Sequence, residues 1–313
     1  MLPPDESQKQ RALIVLGRKL RELGYRFTAV TPKTHQIAAD RSGEPGSLRS
    51  IFGWNLPFSF EDVERDIVDA LERAGALEHS GPHYRSAVRF ATIDDLIFAH
   101  SAFPTIDKDA VFFGPDTYRF VRLLRVNLAD LSGKENLCIV DVGCGSGAGG
   151  LYAAKLLGVR LELTLADISR KALDYSAVNA VINGIAAATV ISDVLDGVDS
   201  GVDVIIANPP YLVDDEQRLY RHGGGNLGVS VAARIVAEAL AKLRPGGRLV
   251  LYTGAPIVEG VDLFFQTVRP LLQLYGRHFV YEEIDPDVFG EELLRPAYAK
   301  AERIAVVGLT VFK

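Results

Sequence analysis

The chain is poor in the features that mark secreted and membrane proteins. Its 313 residues include 2 cysteines, 1 methionine and 1 tryptophan. Cys138 and Cys144 flank one apolar run and are poorly placed to bridge each other. This excludes a disulfide framework and predicts a reducing, cytoplasmic setting. No uninterrupted apolar stretch approaches the roughly 20 residues that span a bilayer, so no membrane association is expected. The opening Met1-Leu2-Pro3-Pro4-Asp5 lacks the charged-then-apolar order of a secretion signal. Positive charge is also scarce: 34 Lys+Arg face 40 Asp+Glu, for a net charge of −6. Proteins that depend on neutralising phosphates are usually basic, although a local basic patch is compatible with a negative total. Residues 1–110 carry 14 Lys+Arg against 16 Asp+Glu, which favours a protein acceptor or a gating role over a nucleic-acid clamp.

What is present is an ordinary globular composition, 48% hydrophobic and 24% charged, in a chain long enough for one large domain or two. Phe103-Pro104-Thr105 and Gly114-Pro115-Asp116-Thr117 punctuate the pattern. They divide the sequence into an accessory or substrate-recognition domain over 1–110 and a larger domain over 111–313. In the first, a leucine stripe predicts a helix over 6–23 ended by Gly24, and 31–58, rich in Gly, Pro and Ser, reads as mostly irregular. Ser59 and Asp62 form a capping pair before a second helix. A hairpin follows, giving a mixed, winged-helix-like module, with Trp54, Phe58 and Phe60 as a small core. In the second, apolar runs predict strands at 137–142, 161–166, 187–192, 202–207, 247–253, 276–284 and 303–312. Periodic stretches predict helices at 148–157, 169–182, 229–243 and 260–273. The alternation implies a doubly wound α/β fold with a mostly parallel seven-stranded sheet whose last strand is antiparallel.

Chemistry concentrates at predicted strand ends, where open parallel sheets bind ligands. Asn208-Pro209-Pro210-Tyr211 follows the buried run Val204-Ile205-Ile206-Ala207. The prolines fix φ twice and remove two donors. This leaves the Asn208 side-chain oxygen and the Pro209 carbonyl to accept from a planar –NH2 group, with Tyr211 packed flat upon it. Upstream, Gly143, Gly145 and Gly147 form G-x-G-x-G, which differs from the G-x-G-x-x-G dinucleotide fingerprint. Asp141 precedes them, where a carboxylate suits the cationic end of S-adenosylmethionine better than a pyrophosphate. Asp167, 24 residues beyond Gly143, is placed for the ribose hydroxyls, and Asp193 for the adenine amine. No histidine shows metal-ligand spacing, so no metal is expected. His222 reads as a solvated loop histidine, and 213–228 as a lid over the acceptor.

These motifs resemble the class I S-adenosylmethionine-dependent methyltransferases, and within them the HemK-like branch that contains the release-factor glutamine N5-methyltransferases. The resemblance covers roughly residues 111–313. It implies that the glycine loop, Asp141, Asp167 and Asp193 hold S-adenosylmethionine and that Asn208 and Pro209 hold an acceptor amide, most simply a protein glutamine. Asn-Pro-Pro-Tyr is shared with adenine N6- and guanine N2-methyltransferases, so an exocyclic amine of RNA or DNA is the alternative acceptor, with a small molecule as a third. Two stretches depart from the family. Val111–Tyr118 is one residue shorter than its V-L-I-P-R-P-E-T-E, and Arg218–Gly228 replaces its Glu-Pro and Gly-Gly-x-Asp-Gly-Leu elements. A nicotinamide oxidoreductase is disfavoured by the glycine spacing and Asp141, and a non-catalytic scaffold by the intact Asn-Pro-Pro-Tyr.

Overall fold

The computed structural model describes residues 4–39, 41, 46–158, 160–275 and 278–313. The chain starts with α1 (Pro4–Glu22), α2 (Pro32–Ala39), α3 (Leu48–Phe52) and α4 (Arg65–Arg73). Two hairpins follow, β1 (Leu77–Ser80) with β2 (His83–Ser86), then β3 (Val88–Ile93) with β4 (Leu96–Ser101). The stretch 31–58, expected to be mostly irregular, contains two short helices. Their buried sides are only a few residues wide, His35 in one and Ser50, Ile51 and Phe52 in the other, too few to show a period. Asp62 accepts from the Ser59 N–H as the capping pair predicts, but only a single 3₁₀ turn forms there, and α4 begins at Arg65.

The larger part alternates α5 (Pro115–Asn127), β5 (Leu137–Val142), α6 (Ala148–Leu157), β6 (Leu161–Asp167), α7 (Arg170–Asn183), β7 (Ala188–Ile191) and β8 (Val202–Ala207). It continues through α8 (Ser230–Lys242), β9 (Leu243–Val258), β10 (Val261–Asp262), α9 (Leu263–Tyr275), β11 (His278–Asp285) and β12 (Arg303–Phe312). The strand order is β11-β12-β9-β8-β5-β6-β7, with β10 paired to β9. Strands β9, β8, β5, β6 and β7 run parallel, while β12 is antiparallel to both neighbours. From β5 the chain winds outward through β6 and β7, then returns to β8 on the other side. The crevice beyond the carboxyl ends of β5 and β8 is therefore the topological switch point of the sheet. Register sets Val142 opposite Ala207, so the glycine turn and Asn208 emerge side by side.

Every residue of β8 is buried, as the apolar run Val204–Ala207 leads one to expect of a strand covered on both faces; Asp203, the one polar member, accepts from Cys138 N. One core lies between the sheet and α5 and α6, the other under α8 and α9. A third core, formed by Leu16, Leu20, Phe52, Phe58, Leu71 and Phe90 among others, belongs to the N-terminal part. Phe58 is fully buried in it and Trp54 and Phe60 pack against it, as expected. This core also takes in Val178 and Ile182 of α7. On the same helix Asn179 accepts from Ala99 N and donates to Ala99 O, and Asn183 does the same with Ile97. Two carboxamides one turn apart thereby satisfy the open edge of β4 as a neighbouring strand would.

Candidate active site

The turn after β5 is shaped by backbone that only glycine adopts freely. Gly143, Gly145 and Gly147 have φ of 65°, 53° and 77°, in the left-handed region where a Cβ is strained. A Cβ placed on Gly143 or Gly145 would meet no protein atom within 4 Å, so that side of the turn faces open space. The space is a cleft of about 510 Å³ lined by the glycine turn, Asp141, Asp167, Asp193, the Asn208–Tyr211 segment and His222.

Three acids ending successive strands were expected around this cleft, and each lines it, with different partners. Asp141 is 2% exposed, and its Oδ2 accepts from Gly150 N at 2.7 Å. Among the described residues no donor reaches Oδ1. Burial raises its carboxyl to about 7, and the neighbouring Asp167 adds to the rise. Asp167 accepts from Ser169 N at 2.8 Å and Gly145 N at 2.9 Å, which leaves lone pairs on both oxygens. Burial raises this carboxyl too, against the backbone N–H groups of Ser169, Gly145 and Ile168. Asp193 is more exposed and forms an ion pair with Arg234 at 2.9 Å through one oxygen. The cleft thus offers carboxylate oxygens without protein donors beside a glycine wall that leaves room for a ligand, a donor set that suits a cationic, hydroxyl-bearing molecule.

On the β8 side, the Asn208 carboxamide is half-buried, lines the cleft and makes no hydrogen bond to any described residue. The Pro209 carbonyl likewise has no donor among them. Tyr211 is held from behind. Its hydroxyl donates to Asp116 Oδ2 at 2.6 Å, while Tyr252 donates to Asp116 Oδ1 at 2.7 Å. Its ring lies against Gly254, where any Cβ would overlap it, and meets the Phe289 ring edge-on. Burial beside the Asp116 charge pushes the phenol well above its usual range, so it is a fixed donor and not a base. Asp116 escaped the sequence reading. An acid just after Gly-Pro reads as a helix-start residue, and nothing local announces its two tyrosine partners, 95 and 136 positions away.

The segment 213–228 forms a strap over the cleft. Asp214 is buried and takes Arg218 through its backbone N–H and guanidinium, while its own N–H donates to His222 Nδ1 at 3.2 Å. The expectation of a solvated His222 is corrected here: the ring is half-buried and lines the cleft. A backbone N–H can only donate, so Nδ1 is the acceptor and Nε2 carries the proton of the neutral ring. The strap is fastened on both sides. Leu219 N donates to Lys108 O and Tyr220 Oη to Thr105 O, and on the other side Val213 and Arg221 engage Tyr298 and Glu292.

The sheet order, parallel through β7, β6, β5, β8 and β9 with β12 antiparallel, is that of the class I methyltransferase fold. Residues 121–269 match the family model of the methyltransferase small domain. The chain is 30% identical over 174 residues to the release factor glutamine methyltransferase of Lactococcus lactis, covering 51% of this chain and 62% of that protein. It is 30% identical over 146 residues to the ribosomal RNA small subunit methyltransferase C of Serratia proteamaculans, covering 46% of this chain and 39% of that protein. It therefore spans less than two thirds of the length of either relative. A crystal structure of a methyltransferase from Pyrococcus furiosus aligns with a TM-score of 0.44 at 18% identity, covering 65% of this chain and 88% of that one. No helix among the described residues is long and apolar enough to cross a membrane.

Proposed function

We propose that the protein transfers a methyl group from S-adenosylmethionine to a planar nitrogen, either the side-chain amide of a glutamine or the exocyclic amine of a nucleobase. S-adenosylmethionine supplies an electrophilic methyl group on a positively charged sulfur. Asp141, with its unpartnered oxygen, faces the cationic end. Asp167 accepts the ribose hydroxyls, and the glycine turn admits the ligand against the backbone. Asp193 retains one oxygen outside its Arg234 pair for the adenine amine.

Asn208 carries the reading. Its side-chain oxygen and the Pro209 carbonyl stand without protein donors at the switch point, next to the cofactor wall. An amide nitrogen is a poor nucleophile because its lone pair is delocalised. Gripping both its hydrogens turns that lone pair out of conjugation and aims it at the methyl group. Positioning of this kind is the main contribution an in-line displacement needs. Tyr211, fixed by Asp116 and Gly254, supplies a rigid wall beside the acceptor. The glutamine reading draws support from the relative named for a release factor, and the nucleobase reading from the relative named for ribosomal RNA.

Substitution of Asn208 tests the assignment. Asn208→Ala should lower kcat by roughly 10²-fold or more with cofactor affinity nearly constant, whereas a residue that only shapes the turn would cost ~1 kcal/mol of stability and little rate. Asn208→Asp keeps the acceptors, so partial activity is expected. Activity is read as radiolabelled methyl transfer into cell extract separated into protein, nucleic acid and small molecules. An Asn208→Ala enzyme with near-normal kcat removes Asn208 from the mechanism.

A further inference from the structure

A second cleft, of about 610 Å³, lies between the N-terminal part and α5 and is lined by Arg26, Arg49, Arg122 and Arg125 together with Trp54 and Tyr118. We propose that it binds the phosphate backbone of a nucleic-acid strand whose target base enters the Asn208 cleft. The acceptor half of this statement rests on the proposed methyl transfer; the binding half does not.

The charge is local and only partly compensated: Arg26 donates to the Tyr25 carbonyl, and one acid answers the four arginines. Four guanidinium groups face a single lining acid, Asp94, in a protein whose net charge is −6. Asp94 is held by Arg125 at 3.0 Å, and Arg125 also donates to Tyr152 Oη. Arg49 and Arg122 are exposed, and no described acid or carbonyl engages either side chain. Other arginines nearby are already occupied: Arg18 and Arg21 of α1 donate to the Val181 and Ile182 carbonyls. A set made only of arginines presents planar forks that match phosphate oxygens bidentately. The chain's one tryptophan lies half-buried in the same wall, and an aromatic face beside arginines is what unpaired bases stack upon. Carboxylates alone would answer the charge but gain nothing from the aromatic wall.

Position supports the same partner. Helix α5 divides the two clefts. Asp116, Thr117 and Phe120 face the Asn208 cleft, whereas Tyr118, Val121, Arg122 and Arg125 face the basic one. From Asp116 to Arg125 the helix rises about 13 Å. The segment from Thr28, in the basic cleft, to Pro32, in the other, spans at most about 14 Å. Phosphates on the arginines are therefore a few nucleotides from a base at Asn208. Arg122 and Arg125, one helical turn apart, point two forks along one line.

The test uses the full chain and a fluorescein-labelled single-stranded RNA of about 20 nucleotides, with a poly-glutamate peptide of equal length as the competing polyanion. Fluorescence anisotropy is measured across about 50 to 200 mM salt. The wild type should bind RNA more tightly than poly-glutamate. The double variant Arg49→Gln/Arg122→Gln should bind it at least ~10-fold more weakly, with a log–log salt slope smaller by about 1.4. Cofactor affinity and melting temperature should be unchanged, because neither side chain lines the Asn208 cleft. Equal RNA binding by variant and wild type overturns the proposal. So does poly-glutamate binding as tight as RNA, which would assign the cleft to an acidic protein. Methyl transfer confined to the protein fraction, with no RNA binding, sinks this inference and leaves the methyltransferase reading standing. RNA binding through the arginines with no transfer into any fraction does the reverse.

Discussion

Asp141 links pH to stability and to cofactor affinity in opposite directions. Its carboxyl is 2% exposed, accepts one backbone N–H, and is lifted by burial from 3.8 to about 7. Between roughly pH 4 and 7 the folded protein holds a proton that the unfolded chain has lost, so this group's contribution to stability falls as pH rises through that window. Cofactor binding should move the other way, because only the ionised carboxylate attracts an ammonium or sulfonium. If the ionised form alone binds, the apparent Kd is multiplied by 1 + 10^(pKa − pH). That factor is about 11 at pH 6 and about 1.1 at pH 8, a tenfold gain in affinity over two units. Titration calorimetry at pH 6, 7 and 8 measures the gain directly. Repeating the pH 6 titration in buffers of different ionisation enthalpy should show nearly one proton released per cofactor bound. Methylthioadenosine, which lacks both cationic groups, should bind with little pH dependence over this range. Asp141→Asn should bind S-adenosylmethionine weakly and almost independently of pH. A tenfold pH effect that survives in Asp141→Asn, or proton uptake on binding, refutes the assignment.

Three further outcomes are expected. Gly254→Ala drives a methyl group into the Tyr211 ring, so it should cost about 1–3 kcal/mol in a urea melt and lower kcat while sparing cofactor affinity; full activity would show that the Tyr211 position is not critical. The Arg218 guanidinium is the main cause that holds the Asp214 carboxyl down at about 2, from 3.8, with the Arg218 N–H and Arg221 adding to it; the stability it contributes is complete above pH 4 and lost as pH falls toward 2, and Arg218→Ala should weaken that acid transition and shift it toward pH 4 in a pH-melting series. A chain beginning at Val111 bares Val178, Ile182 and the two asparagines of α7, so it should be aggregated or strongly destabilised by light scattering and circular dichroism; a well-folded, cofactor-binding fragment would contradict this.

The central parallel strands were legible because a strand buried on both faces is mostly apolar, and the runs at 137–142 and 202–207, each broken by one buried aspartate, are bounded as read. Helix α6 was equally clear, Gly147 and Gly158 marking its ends. Strand β9 extends to 16 residues where the run 247–253 was expected, because its far half is held by the ladder to β12, Arg248 to Ile257, and not by its own composition. The residues that line the Asn208 cleft were legible for a related reason: strand ends are visible in a sequence, and ligands collect at strand ends. What stayed hidden depends on partners remote in the chain. Asp116 acquires its role from two tyrosines brought to it by the sheet, and His222 is drawn into the cleft by a strap whose sequence reads as a glycine-rich loop.

Asn179 shows the same limit most sharply, and it bears on how the two parts of the chain are joined. A polar residue in an unremarkable helical stretch is ordinarily solvated, yet Asn179 is fully buried. Its oxygen accepts from Ala99 N, and its amide donates both to Ala99 O and to Ser146 O inside the glycine turn. An apolar residue there would leave two carbonyls and one N–H buried without partners, at about 1–3 kcal/mol each. The edge strand of the N-terminal part and the glycine turn are therefore braced by one carboxamide. A break in composition near residue 110 marks where the pattern of elements changes, and the apolar contacts of Val178 and Ile182 and the hydrogen bonds of Asn179 and Asn183 tie the parts on either side of it together.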